Sequence, residues 1–410
     1  MKPFWPLAAI GMLLGGVAHA QQLHVEGLAD LRVVVPSGQE SNLDGGLGKL
    51  RWGNDDGGAA VRPELGGLVL RGVLDLTPEL LVVGEIRSDT QQKTPVDIVD
   101  AFVRWRPVST TRWRWWLKAG AFFPPISLEN TGIGWSTEWT LTPSAINAWV
   151  GDELRIIGGE AMVEWRGDSD HLQAYGSIFG WNQPAGVALA NRGWSFNDRP
   201  LGLFDHIRLP DVVAEQREAL GQTYHSLFEG EFRQIDRSPG WYAGVAWERP
   251  EYGRIALLRY DNRADPAMQS GGQFAWRTKF WSLSASTELA GFVVLSQAMV
   301  GSTVITPLPT VSSVTDFWAA YVLAGYERGN WRYAVRFDEF GTSERHPGPT
   351  PRLSEQGFAG TAAVTWSPWK WLRVTGEVIC IDYTRAQRTL QGVSPHTIET
   401  QAQLAARLRF

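Results

Sequence analysis

From Thr400 to the last residue, positions alternate. Thr400, Ala402, Leu404, Ala406, Leu408 and Phe410 share one parity; Gln401, Gln403, Ala405, Arg407 and Arg409 share the other. A period of two over this length describes a strand with one face in an apolar medium and the other in water. The pattern recurs upstream. Asn330–Phe340 sets Trp331, Tyr333, Val335 and Phe337 against Arg332, Ala334, Arg336 and Asp338. Leu372–Cys380 sets Leu372, Val374, Gly376, Val378 and Cys380 against Arg373, Thr375 and Glu377. Glu64–Leu76 sets Leu68, Leu70, Gly72, Leu74 and Leu76 against Val69, Arg71, Val73 and Asp75.

Sixteen such segments are predicted. They lie near Leu23–Val34, Glu64–Leu76, Leu80–Arg87, Val96–Arg106, Arg114–Phe123, Arg155–Trp165, His171–Trp181 and Gly240–Trp247. The rest lie near Arg254–Tyr260, Gly272–Glu288, Gly291–Met299, Val314–Glu327, Asn330–Phe340, Gln356–Trp366, Leu372–Tyr383 and Thr397–Phe410. In Gly272–Glu288 the apolar parity of Phe274, Trp276 and Phe280 gives way to that of Leu283 and Ala285, which predicts a bulge near Trp281.

The connections alternate between short and long. Thr77–Glu79, Pro107–Thr111, Gly167–Asp170, Glu248–Gly253, Leu289–Ala290, Arg328–Gly329 and Ser367–Lys370 are short. Pro36–Pro63, Ser88–Pro95, Pro124–Glu153, Asn182–Pro239, Asp261–Gly271, Gly301–Ser313, Gly341–Ser354 and Thr384–Pro395 are long. An even strand number with short periplasmic turns and long extracellular loops is the layout of an all-β transmembrane antiparallel barrel of about 16 strands. Alternation alone would also suit a soluble sandwich, so the ends of the chain decide. Lys2, the apolar Leu7–Val17 and Ala18-His19-Ala20 read as a secretory signal peptide over residues 1–20, leaving 21–410 as the barrel. The closing strand with its terminal Phe410 resembles that of Gram-negative outer-membrane barrels, where it serves as an assembly signal. That resemblance implies the barrel-assembly machinery and outer-membrane lipid as partners.

Composition narrows the classes further. Lys+Arg 38 against Asp+Glu 43 gives a net charge of −5, so there is no basic footprint for nucleic acid. A single cysteine, Cys380, excludes a disulfide framework and any Cys-based zinc site. Eleven of the 21 tryptophans gather near proposed strand ends, at Trp105, Trp113, Trp115, Trp116, Trp165, Trp241, Trp247, Trp331, Trp366, Trp369 and Trp371. Beside short turns these predict a periplasmic aromatic girdle.

No catalytic constellation stands out. The seven histidines form no HExxH or paired-ligand spacing, Tyr224-His225-Ser226 reads as surface polarity in a long loop, and Asp261–Asp265 lacks most of a calcium loop's ligands. No enzyme activity, metal or cofactor is expected. The candidate chemistry is the charged inner wall, because fixed charges in a narrow wet opening set the local counter-ion concentration. Parity assigns Arg71, Arg104, Lys118, Arg259, Arg277, Lys279, Arg332, Arg336, Arg373, Arg407 and Arg409 to it, with Asp75, Glu85, Glu160, Glu164, Asp338, Glu377 and Glu399. The third long loop, 124–153, carries Glu129, Glu138, Asp152 and Glu153 and no Lys or Arg, and its apolar content suits packing against a wall.

The run Lys118-Ala119-Gly120-Ala121-Phe122-Phe123-Pro124-Pro125-Ile126-Ser127-Leu128-Glu129, with the third loop and Arg155–Glu160, resembles the phosphate-selective porin superfamily. The resemblance implies sixteen strands, a basic lumen and a homotrimer, and in general porins the third loop folds inward as the pore constriction. The expectation is therefore an outer-membrane porin passing small hydrophilic solutes or ions, anions among them. Its selectivity would come from Arg71, Arg104, Lys118, Arg332 and Arg336 facing the acids of the third loop. The alternative is a plugged barrel with a lipase-like or a structural and adhesive role.

Overall fold

The computed structural model describes residues 22–54, 60–212, 228–230, 232–309, 311–345 and 354–410. The signal-peptide expectation and Tyr224-His225-Ser226 lie outside them. The described chain forms one closed antiparallel barrel of sixteen strands. The strands are β1 (Gln22–Val35), β2 (Arg62–Asp75), β3 (Leu80–Ser88), β4 (Asp97–Trp105), β5 (Trp113–Phe122), β6 (Ile156–Arg166), β7 (His171–Gly180) and β8 (Gly240–Arg249). They continue as β9 (Gly253–Asp261), β10 (Arg277–Leu289), β11 (Phe292–Leu308), β12 (Val311–Arg328), β13 (Trp331–Arg345), β14 (Glu355–Trp369), β15 (Leu372–Arg385) and β16 (His396–Arg409). Each pairs with its sequence neighbours, and β1 closes on β16 from Leu28 opposite Arg409 to Val35 opposite Ala402. Closure leaves no open edge, as spanning a bilayer with strands requires. Among the described residues no helix is long and apolar enough to cross a membrane.

A close contact at Gly27 lies on the closing seam. Gly27 and Phe410 exchange backbone hydrogen bonds, 3.0 Å from Gly27 N to Phe410 O and 3.2 Å from Phe410 N to Gly27 O. The Phe410 ring lies over Gly27 so closely that a Cβ there would fall 2.1 Å from it.

Alternation sorts the side chains as the pattern requires. On β13 the exposed outer face carries Trp331, Tyr333, Val335 and Phe337, while Ala334, Arg336, Asp338 and Phe340 are buried inside. The turn end carries an outer band of exposed tryptophans. Trp105 and Trp115 meet edge to face at 4.9 Å, and Trp369 stacks on Trp371 at 5.0 Å. Trp113, Trp331 and Trp366 are exposed in the same band. Two tryptophans depart from the predicted girdle. Trp241 opens β8 at the loop end, and Trp116 points inward, its ring 5.3 Å from Lys118 Nζ.

Two further expectations are corrected. β10 pairs without a register shift with both neighbours, so no bulge occurs at Trp281. Phe280 simply faces inward, buried, while Arg277, Lys279 and Trp281 face outward. The loop expected over Gly301–Ser313 is also absent as a long excursion. β11 and β12 continue through it as a hairpin, pairing Ile305 with Ser313 and Leu308 with Val311.

Candidate functional site: the occupied lumen

The described parts of three long connections fold into the barrel. The third, 123–155, carries the helix α1 (Ala145–Glu153), of which every residue is buried. Ser144 starts α1 by accepting a hydrogen bond from Asn147 N at 3.3 Å, satisfying one of the first turn's free N–H groups. The fourth, 181–239, carries the short helix α2 (Val187–Arg192), also buried. Glu153, at the end of α1, accepts from the backbone N–H groups of Gly186 and Ala188 at 2.9 Å and of Leu189 at 3.2 Å. One carboxylate thus serves as the anionic cap of α2 and ties the two loops together. Part of the first connection, 36–54, is buried beside them, with Leu47, Leu50 and Trp52 almost fully covered.

An apolar core forms inside the barrel where these loops meet the wall. Trp149 of α1 lies 5.8 Å from Trp194 of the fourth loop, 5.6 Å from Phe280 of β10 and 5.1 Å from Phe317 of β12, edge to face in each case. Tyr260 stacks on Phe280 at 4.8 Å and on Phe179 at 5.2 Å. Gly325 of β12 receives the Trp139 ring, which a Cβ would meet at 2.4 Å.

The charged wall holds the loops through ion pairs and through their backbones. Arg336 is fully buried. Its guanidinium donates to Asp338 at 2.7 Å, to the Thr142 carbonyl at 2.7 Å, to the Pro143 carbonyl at 3.0 Å and to Glu129 at 3.3 Å. Glu129 in turn accepts from Ser144 N at 2.7 Å and Asn147 Nδ2 at 2.9 Å. Glu377 accepts from the N–H groups of Leu141 at 2.5 Å and Thr142 at 3.1 Å. Bonds of this charge-assisted kind are roughly twice as strong as neutral ones.

Nearer the turn end, Glu138 is shared by Arg373 at 2.8 Å, Arg332 at 3.2 Å and Arg409 at 3.8 Å. Burial pushes the Glu138 carboxyl up, and Arg373, Arg409 and Arg332 more than reverse this, leaving it below the ordinary value. Arg332 also stacks on Trp139, 4.6 Å from the ring centre.

The first and fourth loops have their own anchors. Asp198 bonds Arg32 of β1 and sits 3.0 Å from Arg51 of the first loop. Burial raises the Asp198 carboxyl, but Arg32 and Arg51 outweigh it and hold it at about 2. Lys49 lies 2.7 Å from Glu355, which Arg385 also meets at 2.8 Å. Arg192 pairs with Asp152, to which Asn197 also donates at 3.0 Å. Arg155, between α1 and β6, is fully buried between the rings of Phe123 at 4.6 Å and Phe232 at 5.0 Å. Burial lowers its guanidinium to about 10.

Each residue predicted to line the pore has a definite place. Arg71, Arg104, Lys118, Arg332 and Arg336 all lie on inward parity. Arg336 is enclosed with Glu129, and Arg332 is drawn to Glu138. Asp152 and Glu153 lie within the loop cluster, bonded to α2 and its surroundings. Lys118 pairs with Glu160 at 2.7 Å and covers the Phe122 ring at 3.8 Å. Arg259, Arg277 and Lys279 are corrections: all three lie on the outer face near the loop end. There Arg259 stacks on Trp281 at 5.2 Å and Arg277 pairs with Asp261 at 3.3 Å. The anchors Lys49, Arg51, Asp198 and Glu355 escaped the sequence reading. Its one available signal was the density of aromatic residues in long loops, such as Trp52, Trp194 and Phe196.

Open space remains beside β2–β5. A cavity of about 230 Å³ lies between their inner faces and the start of the third loop, lined in part by Arg71, Glu85, Asp100, Lys118, Phe102 and Trp135.

No family model matches this chain, and no curated protein matches its sequence. Solved structures match it in shape. OmpF of Salmonella typhi, in complex with daunomycin, is 12% identical, with a TM-score of 0.53 over 95% of this chain and 97% of that one. The outer membrane channel DcaP of Acinetobacter baumannii is 10% identical, with a TM-score of 0.51 over 97% of this chain and 100% of that one. OmpT of Vibrio cholerae, an outer membrane protein folded in vitro and solved in its trimer form, is 9% identical, with a TM-score of 0.50 over 96% and 100%. At these identities the likeness is one of fold, and the fold is that of the porin-like barrels of the Gram-negative outer membrane.

Proposed function

We propose that this chain is an outer-membrane porin, a water-filled path for passive diffusion of small hydrophilic solutes or ions. The observation that carries the reading is an inner wall rich in ionisable groups with the third loop folded against it. Such a wall is wet where no loop covers it, and the loop narrows what remains. Transport on this reading needs no chemistry and no cofactor. Anion preference belongs to the proposal: Arg332, Arg373 and Arg409 converge on Glu138, and Glu327 beside Arg332 is the one further acid paired with them among the described residues, so three cations face two acids and the local balance is positive. Assembly as a homotrimer belongs to it too, with the trimer form of the OmpT structure as precedent. Stepwise current from purified protein in a planar bilayer is the test.

A second reading is favoured by one observation, the apolar core around Trp149, Trp194, Phe280 and Phe317 inside the barrel. An interior packed like a domain core suits a plugged barrel with a structural or enzymatic role. Membrane-inserted protein that carries no current would support it.

A further inference from the structure

The cavity beside β2–β5 differs electrostatically from the rest of the lumen. Many of the buried inner charges elsewhere meet each other or the loop backbones, as Arg336, Glu377 and Glu138 do. Here three charged side chains stand in a row on adjacent strands, Arg71 opposite Glu85 and Glu85 opposite Asp100. Among the described residues none of the three has an ion-pair partner within 4.0 Å. Among the described residues Arg71 Nε and Asp100 Oδ1 are buried without a hydrogen-bond partner, the Phe123 backbone N–H faces the Asp100 carboxylate, and Glu85 accepts from Gly134 N at 2.9 Å. Lys118, which also lines the cavity, pairs with Glu160 at 2.7 Å, and Arg155, whose charge acts on Asp100 and Glu85 from behind the lining, comes within ion-pair distance of neither.

Like charges directly opposed across a ladder are destabilising, and buried polar atoms without partners cost free energy. A pair of neighbouring carboxylates and a guanidinium that closes on neither of them within 4.0 Å leave one wall with room for a counterpart. A simple anion would meet Arg71 but also two carboxylates. A divalent cation would meet the carboxylates but also Arg71, and no cluster of three or more metal-ligating side chains occurs among the described residues. The ligand that satisfies both carries both charges. Phe102 on the wall and Trp135 on the loop add an apolar, aromatic side to the same space.

We infer that this cavity binds a zwitterionic α-amino acid with an apolar or aromatic side chain. Its carboxylate meets Arg71, its ammonium meets Glu85 and Asp100, and its side chain lies against Phe102 and Trp135. The inference rests on the channel reading and names a solute class for it: the cavity is a resting place on the path.

The test is equilibrium binding, by calorimetry on detergent-purified protein, of three probes sharing a phenyl ring. Phenylalanine carries both charges, phenylpropionate only the carboxylate, and phenethylamine only the ammonium. Phenylalanine is expected to bind at least about tenfold more tightly than either, since a site built for a charged group rejects an analogue lacking it. Asp100→Asn should narrow the gap to phenylpropionate, and Arg71→Gln the gap to phenethylamine. No saturable binding of phenylalanine, or equal affinity for all three probes, overturns the inference, and this comparison on the unaltered protein decides it even where a variant does not fold. Conductance without phenylalanine binding removes the site and leaves the channel. Phenylalanine-selective binding without conductance keeps the site and removes the channel.

Discussion

Arg336 on β13 and Glu129 in the third loop meet 3.3 Å apart with neither side chain exposed, and Arg336 also donates to the carbonyls of Thr142 and Pro143. A single wall residue therefore fixes both ends of the segment leading into α1. Removing one partner of a buried pair leaves an uncompensated charge, at a cost of about 3–5 kcal/mol. Arg336→Met should lower stability by that order in a urea unfolding series. The double variant with Glu129→Gln should cost less than the sum of the two single changes.

Glu138 is shared by Arg332, Arg373 and Arg409, and among the described residues only Arg332 of the three has a second carboxylate partner here, Glu327 at 2.9 Å. Glu138→Gln removes the one carboxylate the three guanidiniums share and leaves Arg332 with Glu327 alone. The reversal potential in a salt gradient should move toward anion selectivity. A shift toward cations would contradict the placement of these residues beside the conducting path.

Acid should release the first and fourth loops. Asp198 is held at about 2, below its ordinary value of 3.8. A carboxylate depressed in the folded state contributes stability that is complete above its unfolded value and lost as pH falls through its folded one. The tie from Asp198 to Arg32 and Arg51 should therefore hold at neutral pH and weaken between about 4 and 2. Protease sensitivity of the 181–239 segment, followed against pH, should rise in that window, and Asp198→Asn should show the sensitivity at neutral pH.

Trp149 holds α1 among Trp194, Phe280 and Phe317. Trp149→Ala should cost about 3–5 kcal/mol, the usual range for deleting a large core aromatic. Because the core lies inside the barrel, the same change should widen the bore and raise single-channel conductance.

The close approach of Phe410 to Gly27 predicts an assembly phenotype. Gly27→Val places side-chain atoms where the ring lies and should lower the yield of heat-modifiable, folded barrel. Removal of Phe410 should do the same if the terminal residue is read during assembly.

Every strand of the wall was legible in the sequence because lipid and water impose opposite demands on alternate residues, as on β16 and β13. The same period could not say what fills the interior. Phe280 shares its parity with Phe274 and Trp276 and faces inward to meet Trp149, so the apparent break in parity predicts a bulge that is not there. The same reading of parity assigns Arg277 and Lys279 to the lumen, whereas both face outward. The hairpin through Thr306 and Pro307 was hidden because proline and threonine read as loop. The inward fold of the first and fourth loops left almost no periodic trace, since their ties are single contacts between residues distant in sequence, such as Lys49 with Glu355.

The most direct measurement is single-channel recording of detergent-purified protein, residue 21 onward, in a planar bilayer under a salt gradient. The account predicts stepwise open channels of small conductance, with a reversal potential on the anion side that moves further that way in Glu138→Gln. Inserted, folded protein that passes no current would contradict it and identify the barrel as plugged by its own loops.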